Sequence, residues 1–176
     1  KNSAVVIIDG VGEWSTTSIY KGTDAKLTKL SEIKYPNSLG LLYSAFTEFV
    51  GFKVNSGEYK LMGLAPYGNP VFADVIKKNL IEIYEDGSFH LNLEFFDFMS
   101  GDHMINSRFE KLFDMKTRNE ENNLNISYAN IASSIQSITN EVVIKIAKYA
   151  LKLSESSNLC LAVGVALNCV SNGLLL

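Results

Sequence analysis

Hydrophobic residues run without interruption near the start of the chain and then recur at wider spacing. Residues 4–8 read Ala-Val-Val-Ile-Ile, and this β-branched run predicts a strand buried on both faces. Residues 14–20, rich in Thr and Ser, predict a second strand after a hairpin turn at Gly10 and Gly12. Residues 26–35 predict a third strand, although apolar residues at every third position would also suit a helix.

Two later segments show the periodicity of amphipathic helices. The first covers residues 39–50 and follows a capping residue at Asn37 or Ser38. The second covers residues 127–153 and keeps its apolar stripe for about seven turns. A buried strand at residues 159–165 and one more helix complete the pattern. Three meandering strands followed by helix, helix, strand and helix are typical of a ribonuclease-H-like α/β fold.

The middle of the chain, about residues 52–125, predicts an insertion into that fold. It contains the run GEYKLMGLAPYG at residues 57–68, which predicts a tight apolar loop. A short helix at residues 71–82 and a hairpin at residues 80–96 are expected next, then a loop with a short helix near Phe109. We expect residues 1–176 to form a single partial domain, shortened at both ends.

Composition narrows the classes of function. The net charge is −3 without a basic stripe, which argues against nucleic acid as a direct partner. No apolar run approaches 18 residues, so we expect no membrane span. Cys160 and Cys169 fit neither zinc-site spacing nor a disulfide framework, and two reduced, buried thiols in a cytoplasmic protein are expected.

A candidate site begins where the first strand ends. Asp9 follows the apolar run, and Gly10 and Gly12 come directly after it. A carboxylate beside residues without side-chain bulk is open to a cation or to a phosphate-bearing ligand. The alternative is an ordinary hairpin turn, in which Asp and Gly are favoured anyway.

Two further places combine polar groups with turn residues. Gly164 and Asn168 lie where the last predicted strand passes into a helix, so Asn168 either caps that helix or bonds a ligand. Glu58 and Lys60 would share one face if the segment were extended. They would then bind a ribose and a phosphate, or form a solvated surface pair of little energetic value.

Taken together, these segments resemble the O-carbamoyltransferases of nodulation and antibiotic biosynthesis. The matching stretches cover nearly the whole chain in order: DGVGE at 9–13, SLGLLYSAFT at 38–47, GF at 51–52, GEYKLMGLAPYG at 57–68, SRFEKLF at 107–113 and VALNCV at 165–170. A dozen-residue block with such neighbours is far more specific than a lone glycine motif.

The resemblance implies a catalytic domain of the actin-like ATPase class, built from two ribonuclease-H-like halves, of which this chain is the second. In this family a C-terminal domain makes carbamoyl adenylate from carbamoyl phosphate and ATP. The N-terminal domain then transfers the carbamoyl group to a hydroxyl of a small-molecule acceptor. A divalent metal, expected to be iron, is held by two histidines of an H-x-x-x-H motif and by aspartates. By position, Asp9 becomes a metal ligand, and the cofactor contacts are Gly10, Gly12, Glu58, Lys60, Gly164 and Asn168.

This sequence departs from the family pattern in two ways. Val163 stands where the family usually has the first glycine of the loop beside the adenosine. No H-x-x-x-H motif occurs, so further metal ligands are expected from the rest of a longer parent chain. We therefore expect the chain alone to be inactive, and the alternative is a non-catalytic nucleotide-binding or structural module of the same class.

Overall fold

The computed structural model describes residues 2–119 and 123–175 as a mixed α/β protein. Its strands are β1 (Asn2–Ile8), β2 (Ser15–Thr23), β3 (Lys26–Lys34), β4 (Ile81–Ile83), β5 (Phe89–Leu91) and β6 (Leu159–Ala162). Its helices are α1 (Leu39–Phe49), α2 (Glu58–Leu64), α3 (Ala73–Asn79), α4 (Ser107–Phe113), α5 (Ile126–Ser154) and α6 (Cys169–Gly173). Short 3₁₀ turns lie at Gly12–Trp14, Ala65–Tyr67, Leu93–Phe95 and Gly164–Leu167.

Four strands form the larger sheet, in the order β3-β2-β1-β6. β1 pairs with β2 and β2 with β3 in antiparallel fashion, whereas β1 pairs with β6 in parallel. The parallel pair matches Ile7 with Ala162, so the carboxyl ends of both strands lie side by side. Among the described strands, β3 and β6 each have a neighbour on one side only, so they are the two edge strands of this sheet.

The chain divides into two compact units. The first comprises Lys1–Gly40, Ile83–His90 and Asn140–Leu176, and the second comprises Leu41–Glu82 and Leu91–Thr139. In the first unit, alternate residues of β1 are buried (Ala4, Val6 and Ile8), while those between them are only partly buried. The expectation of a strand buried on both faces is thus met on one face of β1.

Aromatic side chains dominate the core of the second unit. Phe46 and Phe49 of α1 meet Phe109 and Phe113 of α4, with ring centroids 5.0 to 5.8 Å apart. Such edge-to-face and tilted pairs add to the free energy gained from burial alone. The short helix expected near Phe109 is therefore confirmed, and its apolar face explains why so short an element is stable.

Several expectations need correction. The run at residues 57–68 is not a tight loop, because it forms α2 and the Ala65–Tyr67 turn. The prediction of buried thiols is wrong, since Cys160 and Cys169 are both exposed, and neither is in a disulfide. Cys160 lies on β6, at the edge of the described sheet. Residues 120–122 of the expected loop, together with Lys1 and Leu176, lie outside the described residues.

The remaining element predictions are confirmed with small shifts. Residues 26–35 form a strand rather than a helix, and the hairpin at residues 80–96 appears as β4 and β5. The strand predicted at residues 159–165 ends earlier, at Ala162. Within the described ranges, no helix is both long enough and apolar enough to pass through a membrane.

Candidate functional site

The carboxylate of Asp9 lies at the end of β1 in a tightly bonded loop. The Asp9 backbone N–H donates to the Thr16 carbonyl at 2.8 Å, which closes the hairpin. Asp9 Oδ1 accepts the Gly10 N–H, also at 2.8 Å. The side chain is only partly buried. The loop therefore fixes where the carboxylate points while leaving it accessible.

The start of α1 is in direct contact with this loop. Ser38 Oγ lies 2.6 Å from the Gly10 carbonyl and 3.2 Å from the Asp9 carbonyl, and it donates to these oxygens. A Cβ on Gly40 would lie 2.9 Å from Gly10 Cα, closer than real side chains approach. The loop and the helix start thus touch through their backbones, and this contact requires glycine at position 40.

The turn after β6 lies beside the same carboxylate. A Cβ on Gly164 would lie 3.7 Å from Asp9 Oδ1, as expected when two parallel strands end at one edge of a sheet. A Cβ on Gly12 would lie 3.4 Å from Asp9 Oδ2, and Gly12 also has a positive φ of +48°. A Cβ on Gly10 would meet nothing within 4 Å. The structure therefore brings Asp9 together with all three glycines that the sequence singled out on these turns.

Val163 adopts a backbone conformation that suits glycine. Its φ is +74° and its ψ is −170°, a region that residues with a Cβ rarely enter. Its carbonyl accepts the Ala166 N–H at 3.0 Å, which forms the 3₁₀ turn. The geometry explains why a glycine suits this position and shows that valine is strained here.

Asn168 takes the capping role, one of the two roles considered for it. Its Oδ1 accepts the Ser171 N–H at 3.0 Å, and its side chain is largely buried. Ser171 Oγ in turn hydrogen-bonds Asn140 Oδ1 of α5 at 2.7 Å. Asn168 therefore caps the start of α6, and Ser171 ties that helix to α5.

Glu58 and Lys60 lie in the second unit, on a helix rather than on an extended segment. Glu58 Oε1 accepts Ser44 Oγ at 2.8 Å and the Asn55 N–H at 2.9 Å, while Oε2 accepts the Gly57 N–H at 3.1 Å. A carboxylate at the first turn of a helix stabilises the helix N-terminus. Glu58 therefore fixes the start of α2.

The two charges of this segment do not pair with each other. The Lys60 ammonium lies 6.0 Å from the centroid of the Phe52 ring, and the Arg118 guanidinium lies 5.4 Å from the same centroid. Cation–π contacts of this kind are modestly stabilising when exposed. Lys60 is exposed, so its ammonium stays accessible beside this ring.

The described residues do not form a complete metal site. Within residues 2–119 and 123–175, no group of three or more His, Cys, Asp or Glu side chains is placed to hold a metal ion. Asp9 could supply one carboxylate oxygen, which suits a hard cation, but one carboxylate does not hold a catalytic metal. The residues present therefore do not fit the implied metal without ligands from elsewhere.

Sequence reasoning passed over one residue beside the site. The sequence pattern predicts Trp14 at the start of the second strand, whereas in the structure it ends the 3₁₀ turn Gly12–Trp14. It is 67 % exposed and has a φ of +79°. The signal available in the sequence was a single tryptophan placed two residues after a glycine turn.

These features define a mixed α/β protein with a carboxylate at a strand end, opposite a glycine turn on the neighbouring parallel strand. A family model described as the carbamoyltransferase N-terminus matches residues 1–176, and the chain belongs to this family. The resemblance identified from the sequence is therefore confirmed.

Relatives from three organisms match almost the whole chain. An uncharacterized protein of Synechocystis sp. is 51 % identical over 174 residues, which are 99 % of this chain and 28 % of that protein. The nodulation protein NolNO of Sinorhizobium fredii is 26 % identical over 176 residues, which are all of this chain and 24 % of the relative. The nodulation protein NolO of Bradyrhizobium diazoefficiens is 27 % identical over 176 residues, 30 % of its length. The chain thus spans less than a third of the length of these relatives.

Proposed function

We propose that this chain forms part of an enzyme that transfers a carbamoyl group to a hydroxyl of a small-molecule acceptor. The donor is carbamoyl adenylate, made from carbamoyl phosphate and ATP. Membership of the carbamoyltransferase family supports the transfer in general. The sheet order β3-β2-β1-β6 and the long helix α5 support the assignment of the chain as a ribonuclease-H-like half of an actin-like ATPase domain.

The observation that carries the proposal is the Asp9 carboxylate beside the Gly164 turn. A carboxylate can hold the acceptor hydroxyl by accepting its hydrogen bond. Gly10, Gly12 and Gly164 leave the surrounding backbone open, so that phosphate oxygens could approach N–H groups. These are the two chemical needs of a transfer from an acyl phosphate to an alcohol.

The remaining residues of the proposal have supporting roles. Asp9 would give one ligand to a divalent metal, expected to be iron, whose other ligands come from elsewhere. Such a metal polarises a bound oxygen. Lys60 and Glu58 are proposed as nucleotide contacts, with Glu58 acting through the helix start that it fixes. Asn168 is proposed to position the turn beside the nucleotide through its cap.

We further propose that this chain works as part of a longer cytoplasmic polypeptide with no nucleic-acid or membrane partner. Its family relatives are more than three times as long as the matched region. Because Asp9 cannot hold a metal alone, we expect the 176-residue chain to show no transfer by itself. Activity is therefore measured on the polypeptide encoded by the complete gene.

The test compares Asp9→Asn with Asp24→Asn, a matched change in the turn between β2 and β3. The experiment measures bound metal and the transfer of labelled carbamoyl phosphate in the presence of ATP. We expect Asp9→Asn to lower transfer by about 100-fold and to lower metal content, while Asp24→Asn matches the wild type. Wild-type transfer by Asp9→Asn would refute the proposed role of the carboxylate.

A second candidate function is a non-catalytic nucleotide-binding or structural module that keeps the fold, and Val163 favours it because it would weaken nucleotide binding. A strained valine replaces the glycine that the turn geometry suits, and its side chain could narrow the nucleotide approach. In this case the complete polypeptide would fold but show no carbamoyl transfer, and its affinity for ATP would be weak. The wild-type arm of the same assay separates the two functions.

A further inference from the structure

Trp14 is the only tryptophan of the chain, and it is exposed at the turn that follows Asp9. Its side chain is 67 % exposed, and no residue of the Gly12–Trp14 turn is buried. Indole is among the largest apolar side chains, and most of its surface is usually buried in folded proteins. Such exposure beside a candidate site is a reason to look for a ligand.

The backbone of this turn is strained. Gly12, Glu13 and Trp14 have successive φ values of +48°, +49° and +79°. Positive φ is costly for residues with a Cβ and is an outlier for bulky ones. Glycine or asparagine would suit position 14 better. The tryptophan is therefore kept at a cost to stability, and such strain is typical of functional sites.

The indole is nevertheless held in place. The Trp14 N–H donates to the Val11 carbonyl at 3.1 Å, and the Tyr35 N–H donates to the Trp14 carbonyl at 3.0 Å. The rings of Trp14 and Tyr35 meet edge to face, with centroids 5.4 Å apart and an interplanar angle of 76°. A ring fixed in this way loses little conformational entropy when a ligand stacks on it.

Trp14 follows Asp9 closely along the chain, and its turn begins beside the Asp9 carboxylate. A Cβ on Gly12 would lie 3.4 Å from Asp9 Oδ2, and two residues span at most about 7 Å. An exposed apolar face with a hydrogen-bond acceptor nearby suits a ring with an apolar face and hydroxyl groups at its rim. Both a ribose-bearing nucleobase and a pyranose have this chemistry.

We propose that the Trp14 indole is a stacking platform for the ring of the ligand that binds at Asp9, and that it sets the specificity of this site. The inference rests on the proposed function for the location of the ligand. The ring has two possible sources, namely the adenine of ATP and a pyranose of the acceptor. The experiment has one arm for each source.

The first measurement is the fluorescence of the complete polypeptide, and subtracting the response of its Trp14→Phe variant isolates the signal of this indole. Three probes are titrated separately: ATP, adenosine and methyl glucoside. We expect at least one probe to change the emission in a saturable way. A response to ATP and adenosine assigns the platform to the nucleobase, and a response to methyl glucoside assigns it to the acceptor. No saturable change with any probe would overturn the proposal.

The second measurement is the dissociation constant of the responding probe by calorimetry. Trp14→Ala should raise it by about tenfold, a typical loss for one stacked ring, whereas Trp14→Phe should keep it within about threefold. Trp14→Asn tests the strain, because asparagine tolerates positive φ. The melting temperature of Trp14→Asn should equal or exceed that of the wild type, while its affinity for the probe should fall as in Trp14→Ala. Leu27→Ala, which removes another exposed apolar side chain, is the control and should change neither quantity.

These outcomes distinguish the platform from the proposed function. If the complete polypeptide transfers carbamoyl groups and Trp14→Ala leaves the affinity unchanged, the platform is refuted while the function stands. If the probe binds in a Trp14-dependent way but no transfer occurs, the enzymatic function fails while the platform stands.

Discussion

Gly68, the last residue of GEYKLMGLAPYG, should not tolerate even one methyl group. It is pressed against the backbone of α5, where an added Cβ would overlap the Ala129 carbonyl and lie 2.5 Å from the Asn130 nitrogen. Ordinary contacts of such a carbon begin at 3.4 Å. The φ of Gly68 is −121°, so an alanine would suffer from the clash and not from backbone strain.

The size of the effect follows from what must move. Two hydrogen bonds join this segment to α5, from the Asn69 N–H to Asn130 Oδ1 at 2.8 Å and from the Phe72 N–H to Ser134 Oγ at 3.0 Å. Each contributes about 1 kcal/mol, and overpacking costs about 1–3 kcal/mol. We expect Gly68→Ala to lower the free energy of unfolding by about 2–4 kcal/mol.

Gly63 in the same run is the matched control. A Cβ there would meet nothing within 4 Å, and the residue lies inside α2, where alanine is favoured over glycine by about 1 kcal/mol. Gly63→Ala should therefore stabilise the chain slightly. Urea unfolding followed by circular dichroism measures both variants. Equal stability of Gly68→Ala and wild type would refute the packing argument, and so would a loss in Gly63→Ala as large as that in Gly68→Ala.

Three further predictions concern other parts of the chain. Val163→Gly should raise the free energy of unfolding by about 1 kcal/mol, because relief of strain outweighs the added chain entropy; thermal melting measures it. The backbone N–H of Thr117 donates to Glu110 and holds the pKa of that carboxyl below its usual value. This stabilisation is present above about pH 4.5 and is lost as the pH falls, so Glu110→Gln should flatten the stability profile between about pH 5 and pH 3. Arg118→Met should lower the free energy of unfolding by about 2–3 kcal/mol, since the buried guanidinium donates to carbonyls just after α1; urea unfolding tests it.

The regular elements could be predicted because their hydrophobic patterns continue over many residues. The stripe at residues 127–153 predicted α5 almost to its observed bounds, Ile126–Ser154. The run at residues 4–8 predicted β1 for the same reason. The position of Asp9 beside Gly164 also follows from the sequence once both strands are taken as parallel neighbours, because their carboxyl ends then share one edge.

The helix α2 and the strained turns could not be predicted, because they depend on contacts distant in sequence. Gly63 is a poor helix former, and α2 forms in spite of it, between Gly57 before its first residue and Pro66 in the following 3₁₀ turn. Glu58, the first residue of that helix, holds its start in place by accepting hydrogen bonds from Ser44 and Asn55. The positive φ values of Trp14 and Val163 contradict local preference, and neither residue type signals such a conformation. The strained positions of the candidate site are therefore the ones that local rules miss.

The open side of β6 has a consequence for handling the protein. A strand with a free row of backbone groups can recruit another strand, either from further polypeptide or from a second molecule. Only four residues, Leu159–Ala162, form β6, so such recruitment would rest on few ladder bonds and should reverse on dilution. Light scattering across a concentration series would reveal it. Leu161→Pro would suppress it, because the Leu161 N–H lies on the side of β6 away from β1 and a proline cannot donate to a new ladder.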